Sequence, residues 1–436
     1  MKNIVICCDG TGNEINTTIS NVLKLYRILG KNAGQRVYYN PGVGTIGQQN
    51  AWQRWQQKAR GVFGLATGLG LDDDVLSAYR FLVETYEEGD QVWLFGFSRG
   101  AYTVRVLAAF TQVIGLLPPD QINLAGYALG AYKRASLESH RGETAAAKAA
   151  PADDAPAPAT DLATSSALEE AWHFGRVAGT RPVRYEFVGV WDTVASIIAP
   201  RDGSLLPDLQ TLRYTRTNPS VKTFRQAIAI DEKRRMFRLN RWTDPQKFRP
   251  NPFQPASEVD QDIRQVWFAG VHADVGGGYP ETVASLSKFP LHWMVEQAAA
   301  KGLKVNRAMI NHLVLGQPRK GSNHDYVEPD VNGPINISMT AGWKPLEWIP
   351  KRVKWREWPA RRALLGFYLP RGEPRPIPDG ALIHWSVLAR RASDESYRPV
   401  NLPARYQVED FPPWDGRAAT EKAPEPADPG AASPAA

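Results

Sequence analysis

The sequence predicts an α/β fold: a mostly parallel sheet with helices on both faces. Three observations predict it. Short continuous apolar runs, NIVICC, VWLFGF, RYEFVGVWDT and RQVWFAGVHAD, read as strands buried on both faces. Segments with apolar residues at helical spacing lie between them. Strand, helix, strand and helix in this order imply right-handed crossovers, hence parallel neighbours.

Taken in order, residues 3–8 form a strand that feeds a tight loop, Asp9-Gly10-Thr11-Gly12-Asn13. Cys7 and Cys8 are the only cysteines. Adjacent strand residues point to opposite faces, so a bond between them would be strained, and nothing suggests an oxidising compartment. A second run, RVYYNPGVGT, ends in the same way around Pro41 and Gly42. Val75, Ala78, Tyr79, Leu82, Val83 and Tyr86 predict a helix over 74–88, stopped by Gly89. VWLFGF then runs into a helix with Val104, Leu107, Ala108 and Thr111 on one face. Residues 119–180 interrupt the pattern as a lid-type insertion over the mouth of the sheet. Its core, ETAAAKAAPADDAPAPATDLA, cannot bury enough apolar surface to order itself, so 141–167 are expected to be disordered. Strands at 184–193 and 264–274 resume the sheet. Past about residue 300 the chain turns rich in Trp, Pro and Arg, and 415–436 read as a disordered tail.

Composition excludes several classes. The net charge of +7 is spread over 436 residues, without a lysine-rich arm or zinc-ligand spacing, which argues against nucleic-acid binding. The opening MKNIVICCDG is too short and wrongly flanked for a signal peptide, and no stretch reaches bilayer-spanning length. The default location is cytoplasmic, with export open only through a signal-independent route.

The chemistry centres on GFSRG, residues 96–100. A hydrolase nucleophile on a strand-to-helix elbow needs small residues two before and two after it, because strand and helix backbones nearly touch there. Gly96 and Gly100 meet that need around Ser98. The pentapeptide alone is a weak signal; its position between a buried strand and a helix is what carries the reading. A triad in the order Ser, acid, His then finds Asp192 at the end of FVGVWDT and His272 at the end of VWFAGVH. Asp274 is the alternative acid, although capping the glycine turn after it suits it better. Of seven histidines, His384 in ALIHWSV is the alternative base; its plainer role is a satisfied core histidine.

CDGTGN, DQVWLFGFSRGAYTVRVLAAF, GVWDTVAS, AIAIDEKRRMF, VWFAGVHADVGGGYPE and IPDGALIHWSV match, in order, an alpha/beta-hydrolase family. The chain resembles this bacterial and fungal family, which includes the type VI secretion phospholipase effectors, over residues 3 to about 406 apart from the alanine-rich insert. The resemblance implies an alpha/beta-hydrolase catalytic domain over 1–300 and an accessory region over 301–414. It implies a Ser98, Asp192 and His272 triad acting on lipid esters, without metal or organic cofactor. It also implies a type VI export route and, for a secreted effector, an immunity protein as partner. In the fold it resembles, one oxyanion donor is the N–H after the nucleophile, here Arg99. The second comes from an earlier loop, here Thr11 with Gly10 next.

Other functions stay open at this stage. A strand ending in Asp-Gly-Thr is shared with aspartate-based phosphatases, but those need a second aspartate two residues away, and positions 7 and 11 are Cys and Thr. A soluble-ester or polyester hydrolase and a non-catalytic membrane-binding module are the remaining competitors. Residues 343–368 interleave four tryptophans with seven Lys/Arg and two acids. Trp343, Trp348, Lys351, Arg352, Lys354, Trp355 and Trp358 are therefore candidate contacts to an anionic membrane. Packing of these aromatics on the core is the competing reading.

Overall fold

The computed structural model describes residues 1–10, 18–42, 70–136, 166–194, 198–199, 208–209, 212, 214–251, 254–353, 356–359 and 361–410. Its centre is one eight-stranded sheet. The strands are β1 (Asn3–Cys8), β2 (Gln35–Asn40), β3 (Gln91–Phe97), β4 (Tyr185–Trp191), β5 (Val221–Ala229), β6 (Asp262–Phe268), β7 (Ala381–His384) and β8 (Tyr406–Glu409). The spatial order is β2-β1-β3-β4-β5-β6-β7-β8. Each neighbouring pair is parallel. The helices include α1 (Asn21–Ile28), α2 (Leu71–Thr85), α3 (Arg99–Val113), α4 (Ser166–Val177), α5 (His272–Gly276), α6 (Lys288–Ala299), α7 (Arg307–Leu313) and α8 (Trp385–Ser393).

The period of two along the strands builds two cores. Ile4, Ile6 and Cys8 face α2, α3 and α4 on one side, while Val5 and Cys7 face α1, α6 and α7 on the other. Both cysteines are buried and free. The helix after β1 and the helix after β3 therefore leave to opposite faces. That reversal, between adjacent strands, opens a crevice at their carboxyl ends, where ligands bind in open α/β sheets. Helix α2 buries the expected apolar face but starts at Leu71. Asp72, Asp73 and Asp74 in its first turn suit the positive end of the helix dipole.

The insertion is tied at its base. Leu116 and Arg181 exchange backbone hydrogen bonds of 2.8 Å in each direction. From there a helix over 125–136 and α4 pack beside α3, with Ala128, Leu129, Tyr132, Leu168 and Ala171 in the same core. Lys133 reaches Asp72 at the start of α2, so the 125–136 helix runs toward the edge where the strands end. Residues 141–165 and the tail from 411 lie outside the described residues. The sheet does not stop at residue 300: β7 and β8 come from beyond it.

Candidate active site

Ser98 follows β3 and precedes α3, with φ 57° and ψ −120°. A non-glycine residue at positive φ is held there by its surroundings. Its N–H donates to Trp191 O at 3.2 Å, in the continuation of the β3–β4 pairing. The two flanking glycines are required by contact. A Cβ on Gly96 would lie 2.5 Å from Gly100 O, and one on Gly100 would lie 2.1 Å from Cys8 O. The nucleophile elbow and the end of β1 are thus pressed together.

Asp192 lies just past β4 and is fully buried, with φ 34°. His272 opens α5, and its Nδ1 lies 2.5 Å from Asp192 Oδ2. An ionised carboxylate only accepts, so Nδ1 carries the proton and Nε2 keeps its lone pair. Nε2 is buried and has no hydrogen-bond partner among the described residues, so Ser98 Oγ and the imidazole are not joined here. Catalytic hydrogen bonds are commonly loose without substrate. The ring is packed between Phe97 and Phe237, with centroids 4.7 and 4.8 Å away. Burial lowers the His272 pKa below its ordinary value, against the opposing pull of Asp192.

The alternatives go elsewhere. Asp274 accepts from Val271 N at 2.9 Å and from Asn336 N and Nδ2 at 3.1 and 2.7 Å, so it holds the turn around α5. His384 caps α8, accepting from Ser386 N, and stacks on Phe268 with centroids 4.5 Å apart. Arg99 is the first residue of α3 and is buried. Gly10 corrects one expectation: its N–H already donates to Asp9 Oδ1 at 2.7 Å, which withdraws it as an oxyanion donor. Thr11 lies outside the described residues. Asp9 is held by Tyr39 Oη at 2.9 Å and by Ser20 Oγ, an anchor for the loop after β1.

Two site residues escaped the sequence reading. Arg375 is buried and donates to Asp192 Oδ1 at 2.6 Å and Oδ2 at 3.0 Å. It lies 183 residues from Asp192, between prolines, with no local signal. Glu232 is buried in the AIAIDEKRRMF stretch, which was legible as a motif but not as a contact. Its Oε2 accepts the His272 N–H at 3.2 Å, and both oxygens hold Arg234, at 2.9 Å and 2.7 Å. Arg234 in turn lies 3.5 Å over the Phe237 ring.

In the basic, tryptophan-rich segment, Lys351 is a second correction. It is only 7% exposed and pairs at 2.8 Å with Glu373, a buried carboxylate that also accepts from Tyr368 Oη at 2.7 Å and from Trp358 N at 3.3 Å. Trp343 packs edge-on against Phe237, centroids 5.3 Å apart, and Trp358 is half-buried. Trp348 and Arg352 are exposed; Lys354 and Trp355 lie outside the described residues. The exposed surface is a hairpin tip that the sequence reading did not single out. Lys351–Arg352 pairs with Phe367–Tyr368, and between them Leu364 and Leu365 are 77% and 89% exposed.

Among the described residues no cluster could hold a metal, and no helix is long and apolar enough to cross a membrane. The parallel sheet and its strand-to-helix elbow define an α/β protein of hydrolase-like architecture. Residues 2–297 match the family model described as T6SS, phospholipase effector Tle1-like, catalytic domain. The chain belongs to that family, and membership indicates a hydrolase of the phospholipase kind. The uncharacterized protein YEL023C of Saccharomyces cerevisiae is 23% identical over 590 residues, covering 92% of this chain and 80% of that one. Two solved structures are similar at 18% identity. An uncharacterized protein from Pseudomonas aeruginosa has a TM-score of 0.33, covering 70% of this chain and 46% of its own. The Tle1 effector bound to the VgrG spike of the type 6 secretion system has a TM-score of 0.31, covering 66% and 52%. The chain spans about half the length of these two structures.

Proposed function

We propose that the chain is a serine carboxylic-ester hydrolase acting on phospholipid, of the phospholipase A type. The observation that carries this is the Asp192–His272 pair beside the strained Ser98 elbow. In the proposed cycle His272 Nε2 takes the Ser98 proton as Oγ attacks the ester carbonyl. The oxyanion is stabilised by the Arg99 N–H and, from the loop after β1, by Thr11. His272 then returns its proton to the leaving alcohol, giving an acyl-Ser98 ester. Water, deprotonated by His272, releases the fatty acid and restores the serine. No step calls for a metal or an organic cofactor.

The substrate class is read from family membership and from the hairpin tip. Leu365 sits at φ 50°, where a leucine costs more than glycine or asparagine, yet it is 89% exposed. Trp348 and Ile349 are exposed nearby in the chain, as are Arg352, Arg356 and Arg362. The two acids of the segment are turned inward: Glu347 accepts from Arg235 N at 2.7 Å, and Glu357 pairs with Arg238 at 2.5 Å. An apolar tip with an arginine rim suits an anionic bilayer surface. A type VI route of export and an immunity protein as partner belong to the same reading.

The test is labelling with a fluorophosphonate probe, which should modify Ser98 in the wild type and leave Ser98→Ala unmodified. Ser98→Ala and His272→Ala should each lose about three to six powers of ten in turnover, and the double variant should be little worse. Equal labelling of wild type and Ser98→Ala would remove the serine mechanism.

A further inference from the structure

We propose that Arg375 is a positioning residue for the triad: its guanidinium fixes the Asp192 carboxylate and opposes its charge, keeping His272 in the neutral form that accepts a proton. This rests on the serine-hydrolase reading above. The geometry is closed on every side. Asp192 Oδ1 accepts from Ala229 N at 3.0 Å and Arg375 Nη1 at 2.6 Å. Oδ2 accepts from His272 Nδ1 at 2.5 Å and Arg375 Nη2 at 3.0 Å. The carboxylate cannot turn away from His272 without breaking a charge-assisted fork. The guanidinium is equally fixed, because Nη1 donates to Ala229 O at 3.1 Å and Nη2 to Phe237 O at 2.7 Å.

The fork also sets charge. A lone buried carboxylate beside an imidazole binds the shared proton tightly, whether the proton sits on one partner or the other. With Arg375 in place the three groups carry one positive and one negative charge before His272 is protonated. A further proton then makes the cluster net positive in a buried setting. The other charged groups around His272 are Glu232 and Arg234, from the loop after β5, which pair with each other. Asp274 on α5 is turned to Val271 and Asn336, and Asp231 to Gly270 N and Tyr397. Tyr279 is pushed up to about 12, mainly by burial. None of these replaces Arg375 on Asp192. In line with the geometry, Asp192 is held well below the usual carboxylate range, with Arg375 the largest influence opposing its burial.

The experiment is the rate of fluorophosphonate labelling at Ser98 against pH, for the full chain and two variants, with thermal melting in parallel. In R375Q the acid limb should move to higher pH by about one unit or more, since a nearby opposite charge shifts a pKa by roughly 1–3. Labelling should then rise again at high pH, to a plateau about tenfold or more below wild type, because R375Q loses the fork as well as the charge. R375K keeps the charge and loses the fork, so its limb should stay near wild type while its plateau falls by about tenfold or more. A wild-type limb in R375Q, with only a lower plateau or lower melting temperature, would assign Arg375 a purely structural part. If R375Q does not fold, R375K decides: labelling at the wild-type rate at every pH would overturn the proposal. Failure of the wild type itself to label at Ser98 would instead remove the serine reading, and this inference with it.

Discussion

Arg375 holds Asp192 through two nitrogens, at 2.6 and 3.0 Å, across 183 residues of chain. The segment after residue 300 is therefore joined to the centre of the site and not only to its surroundings. It also supplies β7 and β8, which continue the sheet from β6. The family match ends at residue 297, but the fold's cohesion does not. A chain cut at residue 300 would leave Asp192 buried without its counter-charge and Trp267 and Ile228 without Ile383 and Val387. Such a fragment is expected to be insoluble or to melt without cooperativity, as read by circular dichroism. A sharp, wild-type-like transition would contradict this.

Gly100 tests the contact between the elbow and the end of β1. Its Cβ would meet backbone, Cys8 O at 2.1 Å and Asp9 O at 2.5 Å, which cannot swing aside as a side chain does. Gly100→Ala should cost about 1–3 kcal/mol or more. It should also lower turnover, because the loop proposed to complete the oxyanion hole starts at that contact. Chemical denaturation and turnover with a short soluble ester measure the two effects. No change in either would mean that the two backbones part easily.

His384 is expected to make the fold acid-sensitive. Burial is the main cause that pushes it down to about 3, with His292 adding to the effect, while an unfolded histidine titrates near 6.5. Because the folded value is depressed, stability is full above about pH 6.5. It is lost as pH falls from there toward about 3, where the unfolded chain binds a proton that the folded chain refuses. His384→Asn keeps an N-cap for α8 without the titration. Its melting temperature should start lower from lost packing, yet decline less between pH 7 and pH 4 than the wild type's. Parallel curves would place the acid sensitivity elsewhere.

The hairpin tip and Lys351 should respond in opposite ways. Leu364→Ser with Leu365→Asn should weaken binding to anionic vesicles by about tenfold or more, since each fully buried leucine contributes roughly 1.5–3 kcal/mol. Hydrolysis of a soluble ester and melting temperature should hold. Lys351→Gln should instead destabilise the fold by about 3 kcal/mol, because it removes the counter-charge of buried Glu373, which keeps only the neutral donors Tyr368 Oη and Trp358 N. Vesicle binding that falls with Lys351→Gln at unchanged stability, and not with the tip variant, would reverse this assignment.

Much of this is legible in the amino-acid sequence. Continuous apolar runs marked β1, β3, β4 and β6, because a strand buried on both faces has no polar positions to spare; β5, with Lys222, Arg225 and Gln226 in it, gave no such run. Ser98, Asp192 and His272 were legible because each ends such a run, and a parallel sheet brings those ends to one edge. Gly96 and Gly100 were legible because an elbow leaves no room for a Cβ. Lys351 misled because a lysine among tryptophans and arginines reads as surface, and Glu373, its buried partner, is 22 residues away. Gly10 misled because a loop's free donors cannot be counted until its own side chains, here Asp9, have taken theirs.

By itself, then, the sequence determined five strands of the sheet (β1, β2, β3, β4 and β6), the elbow and the order of the proposed triad, since these follow from local pattern and the handedness of crossovers. Only the tertiary structure decided which histidine meets Asp192, which oxygen each donor takes, and that Arg375 stands behind the carboxylate. The physical reason is the range of the interactions. Periodicity and backbone sterics act over a few residues and are written in the chain. The pairing of buried charges depends on which side chains the finished packing brings within about 3 Å, and that is a property of the whole fold.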